Sequence, residues 1–122
     1  MAAPSHPGPG RLGQRFYIVF AKPTALAGQR AAATDAHLAY LAEIERDGIL
    51  FMAGPFVGED GISTGGGMFI LRAGSLKEAE AIAARDPYNA RGYRTFRVAP
   101  WRLDQGAFGL NVSFTNGGVR FS

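Results

Sequence analysis

A chain of 122 residues has the length of one small domain, which buries roughly two-thirds of its unfolded surface, so its core can form unaided. It contains no cysteine, which excludes a disulfide framework, a thiolate nucleophile and a cysteine metal site, and fits a reducing cytoplasm. The net charge is +3, yet the first 34 residues hold four basic side chains and no acid, while the other 88 hold nine basic and ten acidic groups. The high pI therefore describes one end of the chain and is not a nucleic-acid footprint.

Residues 1–14, MAAPSHPGPGRLGQ, offer almost nothing apolar to bury and are expected to form a disordered arm. They are Pro- and Gly-rich rather than signal-like, and the apolar run from Phe16 to Ala21 is a strand's length, far short of a bilayer span, so no membrane association is expected. RFYIVFA reads as the first strand, followed by a loop of small residues to about Ala33. A helix over Thr34–Asp47 closes at Gly48, and ILFMAGP forms a second strand ended by Gly54-Pro55. The Gly-rich stretch VGEDGISTGGG reads as a long flexible connection into a third strand, MFILR.

SLKE carries a capping box, with Ser75 as N-cap and Glu78 three residues on, and opens a second helix that runs to about Arg85. YRTFRVAPW makes the fourth strand. The order β-α-β-β-α-β is the ferredoxin-like α+β arrangement with an antiparallel sheet, and the body is expected over residues 15–103. Residues 104–122 form an extension in which LNVSF and VRFS flank an Asn-Gly turn, the signature of a β-hairpin or arm. The first three strands are apolar on both faces. Helices cover one side of such a sheet, so the other is expected to meet a second copy in a homodimer, with a fold-back of the C-terminal arm as the alternative.

At about 100° per residue, His37 falls within the apolar arc of the first helix shared by Leu38, Leu41 and Ile44. The same wheel turns Asp86 inward at the end of the second helix, just before Pro87, where the helix dipole disfavours a carboxylate. In this topology the start of the first helix and the end of the second lie at one end of the domain, together with Gly54-Pro55 and the segment from Asp86 to Tyr93. A neutral imidazole is suited to taking a proton near pH 7, and a neighbouring carboxylate orients the ring and stabilises the imidazolium. A buried, satisfied polar pair is the structural alternative.

Tyr88 and Tyr93 bring hydroxyls to the same end, and Arg97, read on the strand face of Thr95 and Tyr93, is a candidate anion binder or subunit contact. Ser63-Thr64 has no histidine nearby in sequence to activate it, and the GGG run leads into a strand rather than a helix, which argues against a phosphate loop. With one of only two histidines, His6, in the arm, a multi-histidine metal site is excluded. RNA-recognition domains share this element order, but GGGMFILR lacks the leading basic residue and the alternating aromatics they use, so no nucleic-acid partner is expected.

TDAHLAYLAEIERDGILFMAGPF and GGMFILRAGSLKEAEAIAARDPYNARGYRTFRVAPW together resemble the YCII-related (YciI-like) domain family over residues 15–103. The resemblance rests on His37, on Gly54-Pro55, on the glycines before the third strand and on Asp86-Pro87-Tyr88, in the family's order and spacing. It implies a dimeric α+β barrel with a pocket containing a His–Asp pair, here His37 and Asp86. Gly54, Pro55, Tyr88 and Arg97 are the candidate substrate-binding residues from the reading of the residues themselves. Relatives include a dehydrochlorinase of a chlorinated hydroxyhydroquinone, and the wider group includes muconolactone isomerases and heme-free oxygenases. The function this implies is a lyase or isomerase that moves protons on a cyclic or aromatic substrate without metal or organic cofactor, with a non-catalytic ligand-binding module as the alternative. The arm, the longer loop after the first strand and the C-terminal extension depart from shorter members.

Overall fold

The computed structural model describes residues 10–122. The chain forms β1 (Gln14–Pro23), a 3-10 segment (Ala27–Ala33), α1 (Thr34–Arg46), β2 (Leu50–Val57), β3 (Ser63–Leu71), α2 (Leu76–Ala84), α3 (Pro87–Ala90), β4 (Arg94–Leu103), β5 (Leu110–Val112) and β6 (Val119–Phe121). The first four strands make one antiparallel sheet in the order β2-β3-β1-β4, with β1 central between β3 and β4. This is the expected ferredoxin-like α+β fold. Pro55 and Pro100, which have no N–H for a ladder, both lie on edge strands, β2 and β4.

Register fixes which side chains share a face. Val19 stands opposite Phe69 and Val98, and these point toward the helices, where Leu71, Ile44, Ile82 and Ala83 complete the core. Tyr40 of α1 donates its hydroxyl to the Ile82 carbonyl at 2.7 Å, joining the two helices over that core. The opposite face carries Phe16, Ile18, Phe20 and Ile70; Phe16 stacks on Phe51 at 4.7 Å and leans on Trp101 at 6.2 Å. No helix covers it. The segment from Leu103 to Phe108 borders it instead, beside Leu12, Met52 and Trp101.

Local signals in the sequence account for the helix ends. The Ser75 hydroxyl accepts from the Glu78 N–H at 3.1 Å, and the Glu78 carboxylate accepts from the Gly74 N–H at 2.9 Å, one residue before the position an ideal capping box engages. At the end of α1, Ile49 N–H donates to Ile44 and Gly48 N–H to Glu45, a Schellman closure that needs the left-handed φ of 75° found at Gly48. In the C-terminal hairpin Leu110 pairs with Phe121 and Val112 with Val119, which puts four apolar side chains on one exposed face.

Three expectations are corrected. The glycine run is not a flexible connection: Ser63 to Gly67 belong to β3, and Gly65, Gly66 and Gly67 are buried. A Cβ on Gly66 would lie 2.5 Å from the Ala21 carbonyl oxygen and one on Gly67 3.1 Å from that of Gly54, so the glycines allow neighbouring strands to approach closely. Second, the loop before α1 winds into a 3-10 turn, and Thr24 fastens its start to the segment just before β4 through its N–H to Tyr93 O and its hydroxyl to Gly92 O. Third, the expected arm of residues 1–14 lies outside the described residues only as far as residue 9. Leu12 N–H donates to Asp104 O at 2.8 Å and Gln14 already belongs to β1, so residues 10–14 are held against the start of the C-terminal extension.

If the glycines are needed for close approach, Gly66→Ala should cost about 1–3 kcal/mol in denaturant unfolding, because its methyl meets backbone that has nowhere to go. Gly54→Ala, whose Cβ would have nothing within 4 Å, should stay within about 0.5 kcal/mol of the parent. Equal effects at both positions would contradict this account of the β3 glycines.

Candidate functional site

Asp86 is not where the helix wheel put it. α2 ends at Ala84, and the Asp86-Pro87 step pulls Asp86 out of helical geometry, with ψ at 124°. Pro87 then takes the first position of α3, where its missing N–H costs nothing. Asp86 thereby becomes the N-cap of a new helix rather than the last residue of the old one, and its Oδ1 accepts from the Tyr88 N–H at 3.0 Å. Its charge sits at a pole that welcomes it.

The same Oδ1 lies 2.7 Å from Nδ1 of His37, on the first turn of α1. A carboxylate only accepts, so Nδ1–H is the donor, and in the neutral ring the other nitrogen, Nε2, keeps its lone pair. Asp86 is fully buried, at 0 %, and His37 is 7 % exposed. Oδ2 of Asp86 has no hydrogen-bond partner among the described residues, which leaves His37 and the α3 backbone as its polar partners. The Tyr88 ring stacks on the imidazole at 4.0 Å with 14° between the planes, and its hydroxyl bonds Thr34 Oγ1 at 2.8 Å. Phe69 approaches the imidazole from β3 at 6.2 Å. Ring orientation is thus fixed by one ionic hydrogen bond and by aromatic contacts.

His37 lines a cavity of about 260 Å³ together with Gly54, Pro55, Gly67, Phe69 and Arg94. Gly54 and Pro55 line the same cavity as the imidazole, but they do not end β2 as expected: the strand runs on through them to Val57. Tyr88 stands behind the imidazole rather than in the cavity lining. Arg97 is a correction: it lies on the outer sheet face, opposite Phe20 in register, with its guanidinium 4.2 Å over the Phe20 ring. Odd-numbered residues of β4 face away from the helices, because Phe96 and Val98 occupy the core face.

By the same alternation Arg94 turns to the core face, and the structure brings it, rather than Arg97, into the cavity. The signal was present, since Arg94, Phe96 and Val98 share one parity. Its Nε donates to the Gly65 carbonyl at 2.9 Å and its guanidinium packs 4.8 Å over the Tyr88 ring. Burial pushes its pKa below the ordinary arginine value, opposed in part by the charge of Asp86.

A larger and more open depression, about 560 Å³ and lined by Pro23, Arg30, Thr34 and Thr64, lies on the other side of Thr34. It contains neither member of the pair. Ser63 and Thr64 are engaged locally: Ser63 Oγ accepts from the Gly65 N–H and Thr64 donates to the Phe56 carbonyl. Among the described residues no three His, Asp or Glu side chains gather as a cation site.

The sequence model of the YCII-related domain matches residues 16–102. The chain belongs to this family. A solved structure similar to this YCII-related chain is 5-chloro-2-hydroxyhydroquinone dehydrochlorinase from Burkholderia phenoliruptrix AC1100, in complex with 2,5-dihydroxybenzoquinone. The two share 22% identity and a TM-score of 0.59, over 70% of this chain and 92% of that one. The likeness establishes the shared fold. No curated protein sequence matches the chain.

Asp86→Ala removes the α3 cap and leaves Nδ1–H of His37 without an acceptor, which should together cost about 2–4 kcal/mol in denaturant unfolding. Asp86→Asn, which keeps one carbonyl acceptor, should cost clearly less. Two near-neutral variants would show that the pair contributes nothing to the fold.

Proposed function

We propose that this YCII-related domain is a small-molecule enzyme of lyase or isomerase type, with His37 as general base and Asp86 as the group that orients it. One observation supports this above all: Asp86 Oδ1 lies 2.7 Å from Nδ1 and accepts its hydrogen bond, so that in the neutral ring the lone pair of His37 is on Nε2, while the ring lines a cavity. Removal of a proton by Nε2 would create an imidazolium beside a buried carboxylate, which lowers the cost of the charge. Elimination of hydrogen chloride needs such a base for the proton, with chloride leaving on its own electron pair. The similar dehydrochlorinase makes a chlorinated hydroxyhydroquinone a sensible first substrate, and the chemistry itself asks only for proton movement.

The reading extends to assembly and place. The uncovered sheet face, with Met52 at 52 % exposure beside Ile70 and Trp101, suits a homodimer that buries it against a second copy. A cysteine-free chain suits the cytoplasm, and no helix among the described residues is long and apolar enough to cross a membrane.

With 5-chloro-2-hydroxyhydroquinone as substrate and chloride release as readout, His37→Gln should lower turnover at least about 100-fold while the protein still unfolds cooperatively. A folded His37→Gln variant with undiminished turnover would make the pair structural. Sedimentation should give the mass of two chains, and Met52→Glu should shift it toward one; a parent protein that remains monomeric at high concentration would refute the dimer.

A further inference from the structure

Arg94 has a feature that the proton-transfer reading does not use. It is a cation at 7 % exposure, and buried cations are nearly always paired with an anion. Among the described residues no carboxylate lies within ion-pair distance of it: the ion pairs present are His37–Asp86 and Arg102–Asp104. The first nine residues carry no acid that could supply one. Nε is committed to Gly65 O, and that is its single hydrogen bond among the described residues, so both terminal nitrogens keep their donors.

The surroundings leave those donors uncovered. Arg94 lines the cavity that His37 lines, and Gly67 lies between Arg94 and the Gly54 carbonyl. A Cβ at Gly67 would stand 3.6 Å from the near terminal nitrogen, so the glycine keeps the approach to it open. The Tyr88 ring, stacked against His37, also has the guanidinium over it at 4.8 Å. Arg94, Arg30 and Asp86 together carry one net positive charge: Asp86 partly offsets Arg94 through space, but its hydrogen bonds go to His37 and the α3 cap, and Arg30 adds a second cation nearby. At about 260 Å³ the cavity lies below the range of drug-sized sites, which limits the ligand to about one ring.

We propose that Arg94 is the anion-binding subsite of this cavity and that its ligand is a single-ring molecule with negative charge on coplanar oxygens, a carboxylate or an ionised pair of neighbouring ring hydroxyls, held by the two terminal guanidinium nitrogens. The fork geometry of arginine matches two coplanar oxygens, and pairing offsets the desolvation the buried cation already bears. Binding of the anion at Arg94 sets the ring between the guanidinium and the imidazole. The proposal rests on the assignment of this cavity as the substrate site, but binding does not depend on proton transfer, so the two fail separately.

Benzoate and its neutral isostere benzamide are the probes, titrated against the full chain by calorimetry and by NMR of the arginine side-chain nitrogens. Wild type should bind benzoate at least tenfold more tightly than benzamide, with the Arg94 terminal nitrogens shifting on benzoate alone. Arg94→Gln should abolish the preference; Arg94→Lys, which keeps the charge but loses the fork, should retain only part of it. His37→Gln should keep the preference even where turnover is lost, which separates this subsite from the general base. Equal binding of the two probes by wild type, as expected if a carboxylate of a second copy already pairs with Arg94, would overturn the proposal. So would a preference that survives in folded Arg94→Gln. Should Arg94→Gln fail to fold, the wild-type arginine signals and the Arg94→Lys titration decide the matter by the same criteria.

Discussion

One carboxylate oxygen organises this end of the molecule. Oδ1 of Asp86 takes two hydrogen bonds, from the first N–H groups of α3 and from the imidazole of α1, and so joins elements 49 residues apart in sequence. Pro87 makes this possible: it stops α2, turns Asp86 out of the helix and supplies the first residue of the next one. The next residue, Tyr88, stacks on the imidazole and reaches Thr34, while Asn89 ties α3 back to α2 through the Ala83 carbonyl. A three-residue run, Asp-Pro-Tyr, therefore caps, orients and packs in one stroke. Loss of the carboxylate would release the α3 N-terminus and the His37 tautomer together.

The sheet supplies the rest of the site. Because β3 carries three consecutive glycines at its start, β2 and β1 close tightly around it, and the space that side chains would fill becomes the cavity before His37. Gly54-Pro55 forms one wall from the edge strand, and Arg94, the first residue of the other edge strand, brings a positive charge across from it. The site thus combines an imidazole of fixed orientation, a buried cation and the ring of Phe69. On the opposite sheet face Met52 and Trp101 are exposed in a single chain, as is the apolar side of the C-terminal hairpin.

Much of this was legible in the residues. Ser75 with Glu78, Gly48 after Arg46, and the Asn116-Gly117 turn are local signals, and each works through one or two neighbouring backbone groups. The inward set of His37 was legible because it follows from helical period alone, although Leu38 on the same arc remains largely exposed at the cavity. The glycines of β3 were opaque, since glycine has no side chain to show alternation and its role emerges only when neighbouring strands are in place. Asp86 faced the right way for the wrong reason: the wheel continued α2 through a residue that the proline had already removed from it. Arg94 and Arg97 differ by three positions, hence by one face, and the core parity of Phe96 and Val98 was the clue that distinguishes them.

The central claim is that Asp86 fixes the His37 tautomer so that Nε2 presents its lone pair. Proton-detected 15N correlation spectra of the histidine side chains near neutral pH test it without any substrate. For His37 the account predicts a single Nδ1–H tautomer with its proton shielded from exchange, lost in Asp86→Ala, which removes the acceptor. An Nε2–H tautomer, or rapid exchange between the two forms in the parent protein, would contradict it.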